Sequence, residues 1–361
     1  MTIGQQVRDW VRPEIQALTA YHVADATGLV KLDAMENPWT WPEELRQEWL
    51  SVLHKVDVNR YPDPQAGALT EQLRQAMDVP DDMAVLLGNG SDEIIQMLAM
   101  VVSGPGRSIL SVEPGFVMYR MIAICCGMDY TGVPLNADDF SLDMPALRKA
   151  IEETAPALIF LACPNNPTGN QFAEKDILAV LETAPGLVVV DEAYAPFADT
   201  SFMSRLGQYD NLLVMRTVSK LGLAGLRLGM LAGSSAWLEQ IDKLRMPYNI
   251  NVLTQATASF VLEHHQVLDE QTASIRRERE RLFTALEAMA GLRVWPSQAN
   301  FLLVRTGSGQ ARILFDHLLD NGVLVKKLHG GHPLLKDCLR LTVGKPDEND
   351  RLLELLGSFH G

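Results

Sequence analysis

The sequence has few of the features that mark disulfide-rich, metal-binding or membrane-spanning proteins. Its four cysteines, Cys125, Cys126, Cys163 and Cys338, form no CxxC pair, so we expect reduced thiols. The eight histidines show no HExxH or similar spacing, and no metal site is predicted. The first residues are polar and no apolar run approaches the ~18 residues of a membrane helix. Neither a secretory leader nor a membrane span is therefore predicted.

Positive charge is also scarce. The chain has 31 Lys and Arg against 45 Asp and Glu, for a formal net charge of −14. A surface of that sign repels nucleic-acid phosphates and anionic membranes, so neither is an expected partner. With 361 residues, 47% of them hydrophobic, the chain is long enough for about two domains with buried cores. Together with the reduced thiols, this composition predicts a cytoplasmic protein.

Short apolar runs alternate with helical patterns between residues 66 and 250. The runs are rich in Val, Ile and Leu and are uninterrupted, as in strands that are buried on both faces. They are Ala84–Leu87, Ser108–Val112, Ala157–Ala162, Leu187–Val190, Leu212–Met215 and Met230–Ala232. The predicted fold class is therefore α/β, with a mostly parallel central sheet flanked by helices.

The last third of the chain follows an α+β pattern. Long helices are predicted over Asn251–Glu263 and Val267–Met289, followed by strands at Phe301–Val304 and Cys338–Val343. The arginines and glutamates of the second helix favour a solvated face. We predict an N-terminal segment (1–60) that contributes to a small domain, a large domain (61–250) and a small C-terminal domain (251–361).

A lysine stands out in the segment that follows the predicted strand Leu212–Met215. Lys220 lies beside hydroxyl residues and glycines, and Arg227 follows seven residues later. A lysine that forms a Schiff base must lose its proton, which burial and nearby positive charge promote. Thr217, Ser219 and Arg227 can together bind a phosphate. The alternative interpretation is a surface-loop lysine.

Two further segments place polar groups after predicted strands. Asp191 ends the valine run Val188–Val190, and ligands bind at that edge of parallel sheets. A carboxylate there can pair with a protonated ring nitrogen of a bound cofactor. The alternative interpretation is that Asp191 is an ordinary helix N-cap. Asn166 lies in a Pro- and Gly-rich turn, and its amide and the Tyr194 hydroxyl are candidate donors to a cofactor's phenolic oxygen.

A glycine turn at Gly88–Gly90 leads into a helix. The free N–H groups at the helix start suit a phosphate. The segment superficially matches a dinucleotide fingerprint, but Glu93 occupies the third glycine position. A nicotinamide-dependent dehydrogenase is therefore disfavoured.

The order of these motifs, from the glycine turn through PNNPTG, DEAY and SK to the following arginine, resembles class I and II aminotransferases of pyridoxal-phosphate (PLP) fold type I. The resemblance spans essentially the whole chain. Within the family it looks like the histidinol-phosphate aminotransferases, on the segments Lys31–Pro38, Arg60–Asp63, Ser219–Arg227 and Leu339–Gly344. The large domain would then bind PLP.

The resemblance implies a role for each matching residue. Lys220 would hold PLP covalently, Asp191 would face the ring nitrogen, and Tyr194 and Asn166 would face the phenolic oxygen. Lys220, Asp191 and Tyr194 would be the catalytic residues, and Phe116 would stack on the ring. The implied phosphate-binding residues are Ser91, Asp92, Thr217, Ser219 and Arg227.

The resemblance also implies partners and substrates. Tyr61 would reach the phosphate of the neighbouring subunit's cofactor, which implies a homodimer with shared active sites. Arg340 would hold the carboxylate of glutamate or 2-oxoglutarate, and Asn37 and Tyr21 would line the end that binds histidinol phosphate. An aromatic-amino-acid aminotransferase and a phosphothreonine decarboxylase remain open, because the same cofactor residues serve them. A non-catalytic effector module is disfavoured, since no basic helix-turn-helix segment precedes the fold.

Overall fold

A computed structural model describes residues 1–20 and 23–359. Within those residues the strands form one sheet of seven strands and one of five. The strands are β1 (Val30–Leu32), β2 (Ala84–Gly88), β3 (Ser108–Glu113), β4 (Asp129–Pro134), β5 (Leu158–Ala162), β6 (Leu187–Asp191), β7 (Leu212–Thr217), β8 (Gly229–Gly233), β9 (Arg293–Val294), β10 (Phe301–Arg305), β11 (Val323–Lys327) and β12 (Cys338–Thr342). The α-helices are α1 (Ile3–Trp10), α2 (Pro13–Gln16), α3 (Glu43–Leu53), α4 (Gly67–Ala76), α5 (Ser91–Val102), α6 (Met118–Cys125), α7 (Met144–Thr154), α8 (Glu174–Thr183), α9 (Ser235–Asp242), α10 (Val252–Glu263), α11 (Gln266–Glu287), α12 (Gln310–Asp320) and α13 (Pro346–Gly357).

The larger sheet confirms the predicted, mostly parallel architecture. Its strand order is β2-β8-β7-β6-β5-β3-β4. Only β8 runs against its neighbours β2 and β7, and the other adjacent pairs are parallel. The sequence did not predict β4, because its residues DYTGVP include Asp, Gly and Pro and only Val133 is buried.

The larger sheet separates two apolar cores, which explains the uninterrupted apolar runs. Strands β5 and β6 are buried along their whole length. In β6, Val188 and Val190 pack into one core while Leu187 and Val189 pack into the other. Each buried aliphatic side chain contributes roughly 1.5–3 kcal/mol, so both faces of the strand must be apolar.

The smaller sheet joins the two ends of the chain. Its strand order is β1-β11-β12-β10-β9, and β1 pairs in parallel with β11. A strand near residue 30 therefore completes a sheet whose other strands lie beyond residue 290. We propose that the domains follow the two sheets, with boundaries near residues 60 and 250.

Helix α11 departs from the predicted solvated face. Arg279 is only 6% exposed, and its Nη1 donates to the carbonyl oxygens of Phe197 and Ala299 at 3.1 and 3.2 Å. Arg276 likewise donates to the carbonyl of Pro196. The charge pattern did not predict this burial, because guanidinium groups can be buried when backbone carbonyls accept hydrogen bonds from them. The expectation of a solvated face was therefore wrong for Arg279, whereas Arg277 and Arg281 are exposed.

The cysteines are free thiols, with Cys163 and Cys338 buried and Cys125 exposed. Burial raises the pKa of the Cys163 thiol to about 12, so this thiol stays protonated near neutral pH. In the described ranges, no helix is both long and apolar enough to cross a membrane.

Candidate active site

A cavity of about 250 Å³ opens at the carboxyl edge of the larger sheet. Strands β5, β6 and β7 end there, and α5 begins there. Parallel strands bring their carboxyl ends to one edge, so residues far apart in sequence meet in this cavity. Its polar wall consists of Glu36, Ser91, Asp92, Asn166, Asp191, Tyr194, Thr217, Ser219, Lys220 and Arg227.

Lys220 lies on this wall directly after β7, in the short 3-10 turn Ser219–Leu221. Burial lowers the pKa of its amine to about 8, and the positive charges of Arg340 and Arg227 act in the same direction. At that pKa roughly a tenth of the amine is neutral at pH 7. A neutral buried amine is a nucleophile and can also accept a proton.

Asp191 ends β6 and is buried. Its Oδ2 accepts a hydrogen bond from the Tyr119 hydroxyl at 2.6 Å, and its Oδ1 accepts one from the Ala193 N–H at 3.0 Å. Burial raises the pKa of this carboxyl to about 6, and the two hydrogen bonds oppose that rise. The carboxylate can therefore be charged at neutral pH and can pair with a cationic ring nitrogen.

Tyr119 is a functional candidate that the sequence did not reveal. It lies in the first turn of α6, among apolar residues that are typical of a buried helix. The one available signal was its position three residues after Phe116, the predicted ring-stacking residue. Their rings are T-shaped at 5.5 Å in the structure.

Asn166, Tyr194 and Arg340 form a hydrogen-bonded series. The Asn166 Nδ2 donates to the Tyr194 hydroxyl at 3.1 Å, and the Asn166 Oδ1 accepts from the Arg340 Nη1 at 2.6 Å. The Arg340 Nη2 also donates to the carbonyl of Asp33 at 2.8 Å. Arg340 is buried and contacts the cavity wall through Asn166.

One end of the cavity is suited to bind an anion. We call this end, formed by Ser91, Asp92, Thr217, Ser219 and Arg227, the cradle around Arg227. Helix α5 begins at Ser91 without a side-chain cap, so its first N–H groups are available to an anion. The buried Ser91 Oγ has no hydrogen-bond partner among the described residues. The Arg227 Nη2 lies 3.1 Å from the Asp92 Oδ2, and the Thr217 and Ser219 hydroxyls are 2.8 Å apart.

Gly90 makes room for the guanidinium in this cradle. Its φ is +83°, and a Cβ placed on it would lie 2.6 Å from the Arg227 Nη2. Any side chain at position 90 would therefore displace Arg227 as well as strain the backbone.

These residues fit PLP. The molecule needs a covalent amine, a carboxylate for its ring nitrogen, donors for its phenolic oxygen and a cradle for its phosphate. The cavity wall offers Lys220, Asp191 and Tyr194 for the first three, and the cradle around Arg227 for the fourth. Phe116 also lines the cavity and offers a face for stacking.

Other predicted site residues lie elsewhere. The Tyr61 side chain is 81% exposed and stacks on Tyr248 with ring centroids 4.4 Å apart, and it does not line the cavity. The Asn37 amide donates to the Leu221 carbonyl at 3.0 Å, so it contacts the turn that carries Lys220. Tyr21 lies outside the described residues.

Three residues of the segment 31–38 line the cavity although the sequence did not single them out, namely Ala34, Met35 and Glu36. The Met35 sulfur lies 3.4 Å from the Tyr194 hydroxyl. Glu36 forms an ion pair with Lys31. The resemblance of this segment to the family was the only available signal, and it assigned a role to Asn37 alone.

The chain matches the family model for aminotransferase class I and II over residues 27–356. It is 55% identical to histidinol-phosphate aminotransferase 2 of Nitrosococcus oceani, over 97% of both chains. It is 52% identical to the histidinol-phosphate aminotransferase of Chromobacterium violaceum, over 98% of both. The structure of the Sinorhizobium meliloti enzyme of that name, in complex with pyridoxal-5'-phosphate, shares the fold with a TM-score of 0.85 at 24% identity, over 96% of both chains. The chain therefore belongs to the class I and II aminotransferase family.

Proposed function

We propose that this chain is a PLP-dependent histidinol-phosphate aminotransferase of histidine biosynthesis. In the biosynthetic direction, imidazole-acetol phosphate and glutamate give L-histidinol phosphate and 2-oxoglutarate. The observation that carries the cofactor assignment is one cavity that holds Lys220, Asp191 and the cradle around Arg227. The substrate assignment rests on identities of 55% and 52% to two enzymes of that name, over nearly the whole chain. We further propose that the protein is cytoplasmic.

PLP, when bound, supplies an electron sink for the pair released as the substrate's α-carbon loses its proton. The Lys220 Nζ would take that proton and deliver it again, since its lowered pKa, about 8, suits both directions of transfer. Asp191 would keep its negative charge beside the ring nitrogen. The Tyr194 hydroxyl and the Asn166 amide would donate at the phenolic oxygen.

Arg340 would bind the carboxylate shared by glutamate and 2-oxoglutarate. Its guanidinium is buried and donates to Asn166, which places it beside the donors assigned to the phenolic oxygen. A planar guanidinium can bind a carboxylate through two parallel hydrogen bonds. Asn37 and Tyr21 remain proposed for the substrate end.

We also propose a homodimer that shares its active sites. The side chains of Val58, Tyr61, Met246, Tyr248 and Leu253 are exposed and apolar or aromatic. Tyr61 stacks on Tyr248, and the Arg245 Nη1 donates to the Pro64 carbonyl at 2.8 Å, so the two segments lie together. We call these five residues the exposed apolar patch, and an exposed patch of this kind favours a protein interface.

The patch lies near the phosphate end of the cavity. The Thr254 hydroxyl, one residue beyond Leu253, donates to the Leu226 carbonyl at 3.0 Å, and Arg227 follows. A second copy docked on this patch would bring its own Tyr61 towards that cradle.

An amino-donor panel tests the proposal. Purified protein with PLP is incubated with 2-oxoglutarate and L-histidinol phosphate, phenylalanine or phosphothreonine, while glutamate and carbon dioxide are measured. We expect glutamate with histidinol phosphate at a higher kcat/KM than with phenylalanine, and no carbon dioxide from phosphothreonine. A preference for phenylalanine would instead support the aromatic aminotransferase, and carbon dioxide release the decarboxylase.

A further inference from the structure

Tyr119 is a buried tyrosine whose hydroxyl has one specific partner. The side chain is fully buried, and its hydroxyl donates to the Asp191 Oδ2 at 2.6 Å. A buried hydroxyl without a partner costs free energy, so the bond to Asp191 satisfies a group that the core would otherwise penalise. The bond also joins α6 to the end of β6.

The ring of Tyr119 is held on two sides. It stacks on Phe160 with centroids 4.5 Å apart and an interplanar angle of 3°. It also packs T-shaped against Phe116, with ring centroids 5.5 Å apart. Phe160 belongs to β5, so the sheet and Phe116 together fix where the Tyr119 hydroxyl points.

The proton in this bond belongs to the tyrosine. Burial and the charge of Asp191 raise the pKa of Tyr119 well above its usual value. The hydroxyl therefore stays protonated and donates, which opposes the rise that burial imposes on the pKa of Asp191. The second donor, the Ala193 N–H, binds the other carboxylate oxygen.

We propose that Tyr119 is a positioning residue that holds Asp191 ionised and oriented towards the ring nitrogen of the cofactor. It acts through Asp191. The inference rests on the proposed function, because it requires a ring nitrogen at Asp191. The Tyr119 hydroxyl makes Asp191 a better partner for a cationic ring. Removing this hydroxyl should therefore weaken the binding of a ligand that has a ring nitrogen.

Equilibrium binding to the apo-protein tests this directly. PLP is compared with its 1-deaza analogue, which carries carbon in place of the ring nitrogen, in the wild type and in Tyr119→Phe. The substitution removes one oxygen atom and keeps the ring that packs on Phe160. Tyr209→Phe is the matched control, since Tyr209 is a half-buried tyrosine in the loop before β7, outside the cavity wall.

We expect Tyr119→Phe to weaken PLP binding by about 10- to 100-fold, the range for a hydrogen bond to a charged group. Binding of the deaza analogue should change by less than about 2-fold, and Tyr209→Phe should change neither. An equal loss for both ligands would mean that Tyr119 only supports the fold, and no loss for either would mean that it does not act on Asp191. A wild-type protein that binds neither ligand would overturn the proposed function itself.

Discussion

At the scale of single residues, burial gives Lys220 and Asp191 their chemistry. Burial lowers the pKa of the Lys220 amine to about 8 and raises that of the Asp191 carboxyl to about 6. The ordinary pKa values of lysine and aspartate differ by about 6.5, and in the cavity the two pKa values lie about 2 apart. Proton transfer on an amino acid needs a base whose pKa lies near neutral pH, which Lys220 provides, and a charged partner for the ring, which Asp191 provides.

The lowered pKa of Lys220 predicts its reactivity in the apo-protein. The neutral amine is the reactive form, so labelling should increase as pH rises and reach half its maximum near pH 8. Competitive acetylation, read by mass spectrometry on the peptide that contains residue 220, measures this midpoint. The exposed Lys149 serves as an internal reference for the reagent. A Lys220 reactivity still rising above pH 10 would contradict the account, because it would mean an amine that the cavity does not perturb.

The positions of Lys220, Asp191, Asn166 and Arg227 could be predicted because each follows a strand that the sequence marks clearly. The role of Tyr119 could not, because its hydrogen bond to Asp191 spans 72 positions of sequence. Arg340 was predicted as a site residue, but not its bond to Asn166. Such pairings depend on how helices and strands pack, which local patterns do not specify.

At the scale of elements, the start of α5 depends on a glycine at position 90 whose φ of +83° and ψ of 167° lie in a region that is essentially restricted to glycine. Gly90→Ala would strain a φ of +83° and place a Cβ 2.6 Å from the Arg227 guanidinium. We expect a loss of about 1–3 kcal/mol in stability from the strain and weaker PLP binding from the displaced arginine. Thermal unfolding and equilibrium binding measure the two effects.

Gly309→Ala is the matched control for this change. Gly309 also precedes a helix, with a φ of +77°, but a Cβ there would have nothing within 4 Å. Gly309 has left-handed helical angles, so Gly309→Ala should lose about 1–2 kcal/mol in stability from strain and keep normal PLP affinity. If both variants bound PLP equally well, the cradle around Arg227 would not be the phosphate site.

Helix α11 offers a second prediction at this scale. Arg279→Met removes a guanidinium that donates to two backbone carbonyls while keeping most of the packing. We expect a loss of about 1–3 kcal/mol in the free energy of unfolding, since buried acceptors lose their donor. The exposed Arg277 on the same helix is the control, and Arg277→Met should change stability by less than about 0.5 kcal/mol. Equal effects in chemical denaturation would restore the solvated-face interpretation.

The elements themselves were largely predictable. Apolar runs marked β3, β5, β6 and β7 to within two residues, because strands buried on both faces leave an uninterrupted pattern. The edge strand β4 was missed, because Val133 is its one buried residue and its other residues do not form an apolar run. The burial of Arg279 was also missed. Its charge predicted exposure to solvent, whereas its guanidinium donates to buried backbone carbonyls.

At the scale of the whole molecule, the exposed apolar patch predicts a dimer. Met246 is 69% exposed in the single chain, and Met246→Asp would place a charge in the proposed interface. We expect the wild type to sediment at twice the chain mass and the variant to shift towards monomer, with lower transaminase activity. The control is Ile313→Asp, because Ile313 is similarly exposed at 54% and lies on α12, outside the patch. A monomeric wild type, or a Met246→Asp variant that remains dimeric, would contradict the proposed shared site.

The central claim is that the Lys220 amine bonds covalently to PLP in the cavity at the carboxyl edge of the sheet. The most direct measurement is borohydride reduction of the purified protein with PLP, followed by peptide mapping. The account predicts a stable pyridoxyl adduct on the peptide that contains Lys220, and none in Lys220→Ala treated alongside. An adduct confined to other lysines, or no adduct in the wild type, would contradict it.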